Sequence, residues 1–206
     1  PYNFYGGLQD NGSWYGPSFS SGGISAKDWK PVGQGDGFRV LRHPTKNIIY
    51  SEMQGAENVW RYDVENNLVK TIQPLAVKGY EEYRFNWNAP ILSSPHDKNT
   101  IFHAGNVLFK SEDGGIKWEV ISPDLTRNNK NQQVPGGTPF TNEAAGGENY
   151  NTLMSLSLSP HDSKVIWAGS DDGLIHITRD GGENWKNVTP IGLKEGIINS
   201  IDCLLY

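Results

Sequence analysis

The chain has 206 residues, a formal net charge of −5, 20% charged residues and 11% aromatic ones, a balance that excludes a disordered chain because it supplies ample apolar area to bury. An acidic total without a Lys/Arg cluster argues against nucleic acid as a partner. No run of 18 or more apolar residues is present for a membrane span, and the single cysteine, Cys203, excludes an internal disulfide framework and a Cys-based zinc site.

The predicted elements recur. Residues 3–33, running from "NFYGGLQDNGSWYG" to "DWKPV", read as the second half of a repeat, with Gly7, Asn11-Gly12 and Trp29 matching Gly169, Asp172-Gly173 and Trp185 further on. Residues 37–74 hold a fuller copy with a His-Pro turn, strand-like runs such as Ile48 to Tyr50 and a final Pro, but no Asp-Gly-Gly and no matching Trp. Residues 84–123 and 152–190 carry the strongest copies: "SPHD", an apolar run, a Gly turn, a second apolar run, "DGG", Trp and a final Pro. Pro95 and Pro160 stand 65 residues apart, Pro44 and Pro95 only 51, so insertions vary between copies. Residues 197–206 read as the first strand of a further unit.

Runs such as Ile101 to His103, Val165 to Ala168 and Leu174 to Thr178 are β-branched or aromatic and bounded by Gly, Asp, Asn and Pro, which is strand vocabulary. No segment keeps apolar residues at helical spacing over three turns, so almost no helix is expected. The 24 glycines, about 12% against roughly 7% in average usage, fit many tight turns. A repeat of this length made of four short antiparallel strands predicts an all-β fold of β-propeller blades, about four of them with the first beginning in mid-blade; a sandwich needs no such period.

Two segments sharpen this. Ser111-Glu112-Asp113-Gly114-Gly115-Ile116-Lys117-Trp118 and Thr178-Arg179-Asp180-Gly181-Gly182-Glu183-Asn184-Trp185 fit SxDxGxxW in register. With "GGLQDNGSW", "RFNWNAPIL", "ISPDLT" and "GGENYNT" around them, the chain resembles the Asp-box (BNR) repeat β-propellers, in particular the sortilin-like, glycosyl-hydrolase-like BNR repeat proteins. The resemblance implies propellers of seven or more blades in longer chains, and therefore a segment of a larger propeller in an extracellular, periplasmic or cell-surface setting. The catalytic aspartates of xyloglucan-degrading relatives have no counterpart here that matches residue by residue.

In the motif itself, the Asp accepts backbone N–H bonds in a tight turn, the Gly pair supplies positive φ and the Trp packs between sheets. Ser111, Asp113, Gly115, Trp118, Thr178, Asp180, Gly182 and Trp185 are therefore read as structural. His96 and His161 belong to repeated turns and sit at no zinc spacing, so no metal and no cofactor is expected.

With four strands running outward from an axis, the first-to-second and third-to-fourth turns share one end of the blades. The second-to-third turns and the long connections between blades share the other. That loop-rich end receives Asp10, Glu57, Asp171 and Asp172 from the short turns, and Asp36, Arg84, Asn86, Trp87, Asn88, Glu148, Asn149 and Tyr150 from the long ones. Acids, amides, an Arg and aromatics together suit recognition of a carbohydrate, or of a protein or peptide segment. Asp36 and Glu148 are the candidate carboxylates for glycoside cleavage, which requires a pair about 5 to 10 Å apart. Asp10, Asp171 and Asp172 also suit ordinary hairpin turns. Three readings stay open at this point: a binding or scaffold propeller, a glycoside hydrolase or lyase, and a purely structural set of blades. The blade edges further predict pairing with remaining blades of a parent protein, with a second copy of the chain, or ring closure of 197–206 on the sheet of 3–33.

Overall fold

The computed structural model describes residues 2–79, 81–133 and 149–203. Their strands form four antiparallel sheets in chain order. Sheet 1 holds β1 (Asn3–Leu8), β2 (Gly12–Pro17) and β3 (Lys30–Gly33); sheet 2 holds β4 (Gly37–Arg42), β5 (Ile48–Met53), β6 (Val59–Asp63) and β7 (Leu68–Thr71). Sheet 3 holds β8 (Ile91–Ser93), β9 (Ile101–Ala104), β10 (Leu108–Ser111) and β11 (Glu119–Val120). Sheet 4 holds β12 (Leu153–Leu158), β13 (Ile166–Ser170), β14 (Ile175–Thr178) and β15 (Lys186–Asn187). Each sheet is a meander with strands adjacent in sequence paired, the arrangement expected of a blade. Among the described residues helix is confined to three single turns of 3-10 type, at Ala26–Asp28, Gln54–Ala56 and Lys130–Gln132, and none is long and apolar enough to cross a membrane.

Sheets stack face to face, which explains why second strands are apolar without alternation. In β5 both faces are covered, and Ile48, Ile49, Tyr50, Ser51 and Glu52 are all buried. Ile48, Tyr50, Val59 and Ile72 from sheet 2 meet Ile91, Ile101, Phe109 and half-buried Trp118 from sheet 3. Phe102, Ala104 and Leu108 of sheet 3 then meet Leu153, Leu156, Ile166 and Ala168 of sheet 4, with Trp185 at the margin. Each large apolar side chain buried this way stabilises by about 1.5–3 kcal/mol.

The two "DGG" turns have one geometry. Asp113 Oδ1 accepts the N–H groups of Ile116 and Lys117, both at 2.9 Å, while the Ser111 hydroxyl accepts from Gly115 N at 2.8 Å. In the later copy Asp180 Oδ1 accepts from Asn184 N at 2.9 Å and Thr178 Oγ1 from Gly182 N at 3.0 Å. Gly115 and Gly182 stand at φ 91° and 110°, where a side chain is strained. The backbone-donated bonds hold the Asp180 carboxyl down at about 2, with the Asn184 and Thr178 side chains adding to them.

These turns sit beside the first-to-second turns, since Gly114 N donates to Asn99 O and Gly181 N to Lys164 O. At the opposite end the remaining turns meet the long connections: Gly12 N to Gly35 O, Gly55 N to Trp87 O, Leu125 N to Asn106 O and Asp171 N to Thr152 O. The two-ended sorting of loops expected from topology is thus the observed one. Residues 197–203, the described part of the strand expected over 197–206, lie in no sheet; they run beside sheet 4, where Ile198 N donates to Ser170 O and Ser155 Oγ to Ile198 O. Among the described residues no hydrogen bond joins sheet 4 to sheet 1, so the ring is not closed.

Candidate functional site

The loop-rich end divides into two polar networks. The first joins sheets 1 and 2. Asp36, from the connection after β3, accepts the Asp10 N–H at 2.6 Å, and Asp10 takes positive φ of 61° in the turn before β2. The Asp36 N–H donates to Gln54 Oε1 at 2.9 Å. Trp87 reaches this region through its carbonyl, which receives Gly55 N, and through an edge-to-face contact with Phe38 at 6.3 Å. Asn88 Oδ1 accepts from Arg39 Nε at 2.8 Å.

The second network joins sheets 3 and 4 and is more deeply set. Arg84 donates to Asp124 Oδ2 at 2.6 Å, and with its side chain only 11% exposed it is turned into the protein. Asn106 donates to the same oxygen at 3.0 Å, and Thr126 Oγ1 to Asp124 Oδ1 at 2.6 Å. Burial raises the Asp124 carboxyl, but the bonds from Thr126, Asn106 and Arg84 outweigh it and hold the group below the usual range. Asp171 receives Thr152 N at 3.0 Å, Thr152 Oγ1 at 2.6 Å and Asn86 Nδ2 at 3.4 Å. Burial dominates there, assisted by the neighbouring Asp172 charge, and pushes Asp171 up to about 6. Asp172 accepts from Asn151 Nδ2, Arg127 N and Ser170 Oγ.

Asn149 and Tyr150 form the rim. Asn149 Nδ2 donates to Phe85 O at 3.3 Å, and the Tyr150 hydroxyl donates to Glu195 Oε1 at 3.0 Å, so that burial and then Glu195 push its pKa above the usual phenol range. Glu148 lies outside the described residues.

The sequence candidates therefore fall into groups rather than into one cleft. Asp10 and Asp36 touch each other; Arg84, Asn86 and Asp171 share the second network; Trp87 and Asn88 lie between the two networks. Both Asp171 and Asp172 are buried, and they tie the sheet 4 hairpin to the connection preceding β12. Asp124, Asn106, Arg127 and Asn151 were not singled out from sequence, although "ISPDLT" placed Asp124 in view. Glu52 was also missed. It is fully buried on β5, its Oε1 accepts from Arg39 N at 3.1 Å, and burial pushes it up to about 9, so it is a neutral acid at pH 7.

One hollow lies beside these networks and another at the far end of the blades. One of about 600 Å³ opens on the loop-rich end between sheets 2 and 3, lined by Glu57, Gln73, Leu75, Glu82, Tyr83 and Asn149. A wider one of about 1080 Å³ lies at the other end, between the "SPHD" and "DGG" turns of sheets 3 and 4, with His96, Asp97, Lys110, Lys164, Asp180 and Glu183 on its walls. No cluster of His, Cys, Asp and Glu suited to a metal occurs among the described residues.

Solved structures resolve what kind of scaffold this is. A GH74 enzyme of Niastella koreensis superposes with a TM-score of 0.55 at 15% identity over 90% of this chain and 27% of its own. The extracellular domain of a putative hybrid two-component system from B. thetaiotaomicron gives 0.59 at 14% identity over 96% of this chain and 23% of its own. Both are propeller-type folds. The four sheets are propeller blades. Sqt1 of Chaetomium thermophilum, solved bound to the N-terminus of ribosomal protein L10, gives 0.56 at 15% identity over 97% of this chain and 48% of its own. The blades described here thus span between about a quarter and a half of each of these structures. No family model and no curated protein matches the sequence.

Proposed function

We propose that these blades form a ligand-binding or scaffold part of an Asp-box repeat propeller, recognising a glycan or a protein segment across the loop-rich end, in an extracellular or cell-surface setting. The observation that carries this is the state of the carboxylates there. Asp36 is held by Asp10, Asp124 by Arg84 and Asn106, Asp171 by Thr152 and Asn86, and Asp172 by Asn151 and Arg127. A general acid and a nucleophile need carboxyl oxygens left to the substrate, and Asp124, Asp171 and Asp172 each spend both oxygens on shaping loops, while Asp36 spends Oδ1. What the end offers a ligand is the hollow beside Asn149, Glu57 and Tyr83 and the half-buried Trp87.

The extracellular setting is supported by the neighbouring propellers, one an extracellular domain by description, and a peptide ligand by the L10 segment bound to another. A second reading, glycoside hydrolysis, draws on the Asp171 and Asp172 pair, one member of which is raised to about 6, a range useful to an acid catalyst. The test is a glycan and peptide array run beside hydrolysis of chromogenic glycosides. Binding without turnover supports the first reading. Turnover that Asp171→Asn abolishes while the protein stays folded supports the second.

A further inference from the structure

The first-to-second turns of sheets 2, 3 and 4 follow one plan, and in sheet 2 a histidine takes the place of a serine. Each turn begins with a residue whose backbone N–H closes the loop: Ser94 to Thr100 O at 2.9 Å, Ser159 to Val165 O at 3.1 Å and His43 to Ile48 O at 2.9 Å. The side chain of that residue then accepts the N–H groups two and three positions on. Ser94 Oγ accepts from His96 N at 3.1 Å and Asp97 N at 3.3 Å, and Ser159 Oγ from His161 N at 3.2 Å and Asp162 N at 3.3 Å. In sheet 2 the acceptor is the ring atom His43 Nδ1, which takes Thr45 N at 3.2 Å and Lys46 N at 3.1 Å.

Two donors aimed at Nδ1 select the neutral ring with its proton on Nε2, and Nε2 lies 3.4 Å from Asn99 Oδ1 in the corresponding turn of sheet 3. Lys46 Nζ donates to the same oxygen at 3.0 Å. His43 thus closes its own turn with one nitrogen and links sheet 2 to sheet 3 with the other. A serine hydroxyl accepts at any pH, whereas a charged imidazole has two N–H groups and no acceptor. The link between sheets 3 and 4 is of another kind: His96 Nε2 donates to Ser159 O at 2.8 Å, a bond that a charged ring keeps.

The surroundings of His43 oppose a proton. The residue is 2% exposed. Arg42 and Lys46 beside it in the chain and Arg61 on β6 stand against Asp97 of the sheet 3 turn, whose carboxylate is engaged by Asn99 N and Thr100 Oγ1. Asp113, from the turn whose Gly114 N donates to Asn99 O, is engaged by Ile116 N and Lys117 N. Burial lowers the His43 pKa, and Lys46, Arg61 and Arg42 lower it further, against the bond to Asn99.

We propose that the 43–48 turn is an acid-opened latch between sheets 2 and 3. A proton on His43 Nδ1 sets three N–H groups against one another, so the ring leaves the turn, Thr45 and Lys46 lose their acceptor, and Asn99 loses its partner in sheet 2. The serine-held turns of sheets 3 and 4 stay shut. The closed turn disfavours the proton and the open one binds it at the ordinary imidazole value of 6.5. Opening is therefore suppressed above that pH and grows by about tenfold per pH unit below it, until the closed turn itself takes the proton.

Amide hydrogen exchange followed by NMR, corrected for the pH dependence of the free-chain rate, tests this beside the nitrogen shifts of the His43 ring. At pH 7 the ring is neutral with Nδ1 unprotonated. From pH 7 to pH 5 the protection of Thr45 and Lys46 falls by about tenfold or more, while that of Asp97 and Asp162 holds. His43→Ser gives sheet 2 the residue of its sister turns, and His43→Asn supplies another oxygen acceptor; each abolishes the fall, with circular dichroism confirming the fold. A ring protonated on Nδ1 at pH 7 overturns the proposal. So does wild-type protection at Thr45 and Lys46 that is equal at the two pH values, or a fall that either folded variant retains.

Discussion

Glu52 shows how burial, more than chemistry, sets the behaviour of a residue. With its carboxyl pushed up to about 9, the folded protein holds a proton there that the unfolded chain has lost above its ordinary pKa near 4.5. The folded state binds more protons throughout that window, so this group's contribution to stability is present at low pH and is lost as pH rises from about 4.5 to about 9. His103, fully buried and lowered to about 4 by burial, works in the other direction, adding stability as pH rises from about 4 to 6.5. Asp171, raised to about 6, loses its contribution between about 4 and 6. Between pH 7 and 8.5 Glu52 alone of these three has a slope. Stability should fall there by about 2 kcal/mol, at about 1.4 kcal/mol per pH unit, and Glu52→Gln should flatten the fall in denaturant titrations at the two pH values. At Asp171 the expectation is simpler: Asp171→Asn sets an amide against the Thr152 and Asn86 donors and should cost about 1–3 kcal/mol of unfolding free energy.

Little of this residue-scale picture was legible. Alternation along "IIYSEM" gives no warning that both faces are covered, because the second sheet that covers Glu52 comes from residues far along the chain. Arg84 and Asp124 stand 40 positions apart, and nothing local marks them as partners. Asp171 and Asp172 had an adequate explanation as hairpin turn formers, and they do form that turn; their bonds to Thr152, Asn151 and Arg127 depend on how an inserted connection folds back.

At the scale of elements the sequence was far more informative, since turns are specified locally. In sheets 3 and 4 the Gly pair, the Asp that accepts backbone N–H groups and the Trp before the outer strand recur at fixed offsets, and each offset reflects a short-range constraint. Gly182 is the most demanding point: φ is 110° and an added methyl would lie 2.5 Å from Ile121 O of the preceding sheet. Gly182→Ala should therefore destabilise by about 1–3 kcal/mol, measured by thermal or denaturant unfolding. Trp185→Phe keeps most of the packing but leaves Ile121 O without its donor, and about 1 kcal/mol is expected from the same measurement. Residues 197–203, the described part of the expected strand 197–206, lie in no sheet; they are held through Ser170 O and the Ser155 and Ser157 side chains, contacts that a local pattern does not report.

For the molecule as a whole, the blades act as a stack in which neighbouring sheets share cores, while function is assigned to connections at one end. Two networks, Asp10 with Asp36 and Arg84 with Asp124, Asn86 and Asp171, hold those connections firmly, and the hollow beside Asn149 and the half-buried Trp87 side chain are what they leave to a ligand. The most direct measurement is equilibrium binding of the best array ligand, glycan or peptide, to wild type and to Trp87→Ala, with product formation followed in the same samples. Our account predicts saturable binding by wild type, a loss of about tenfold or more in Trp87→Ala, and no product. Product accumulating with the ligand, or binding that Trp87→Ala leaves unchanged, would contradict it.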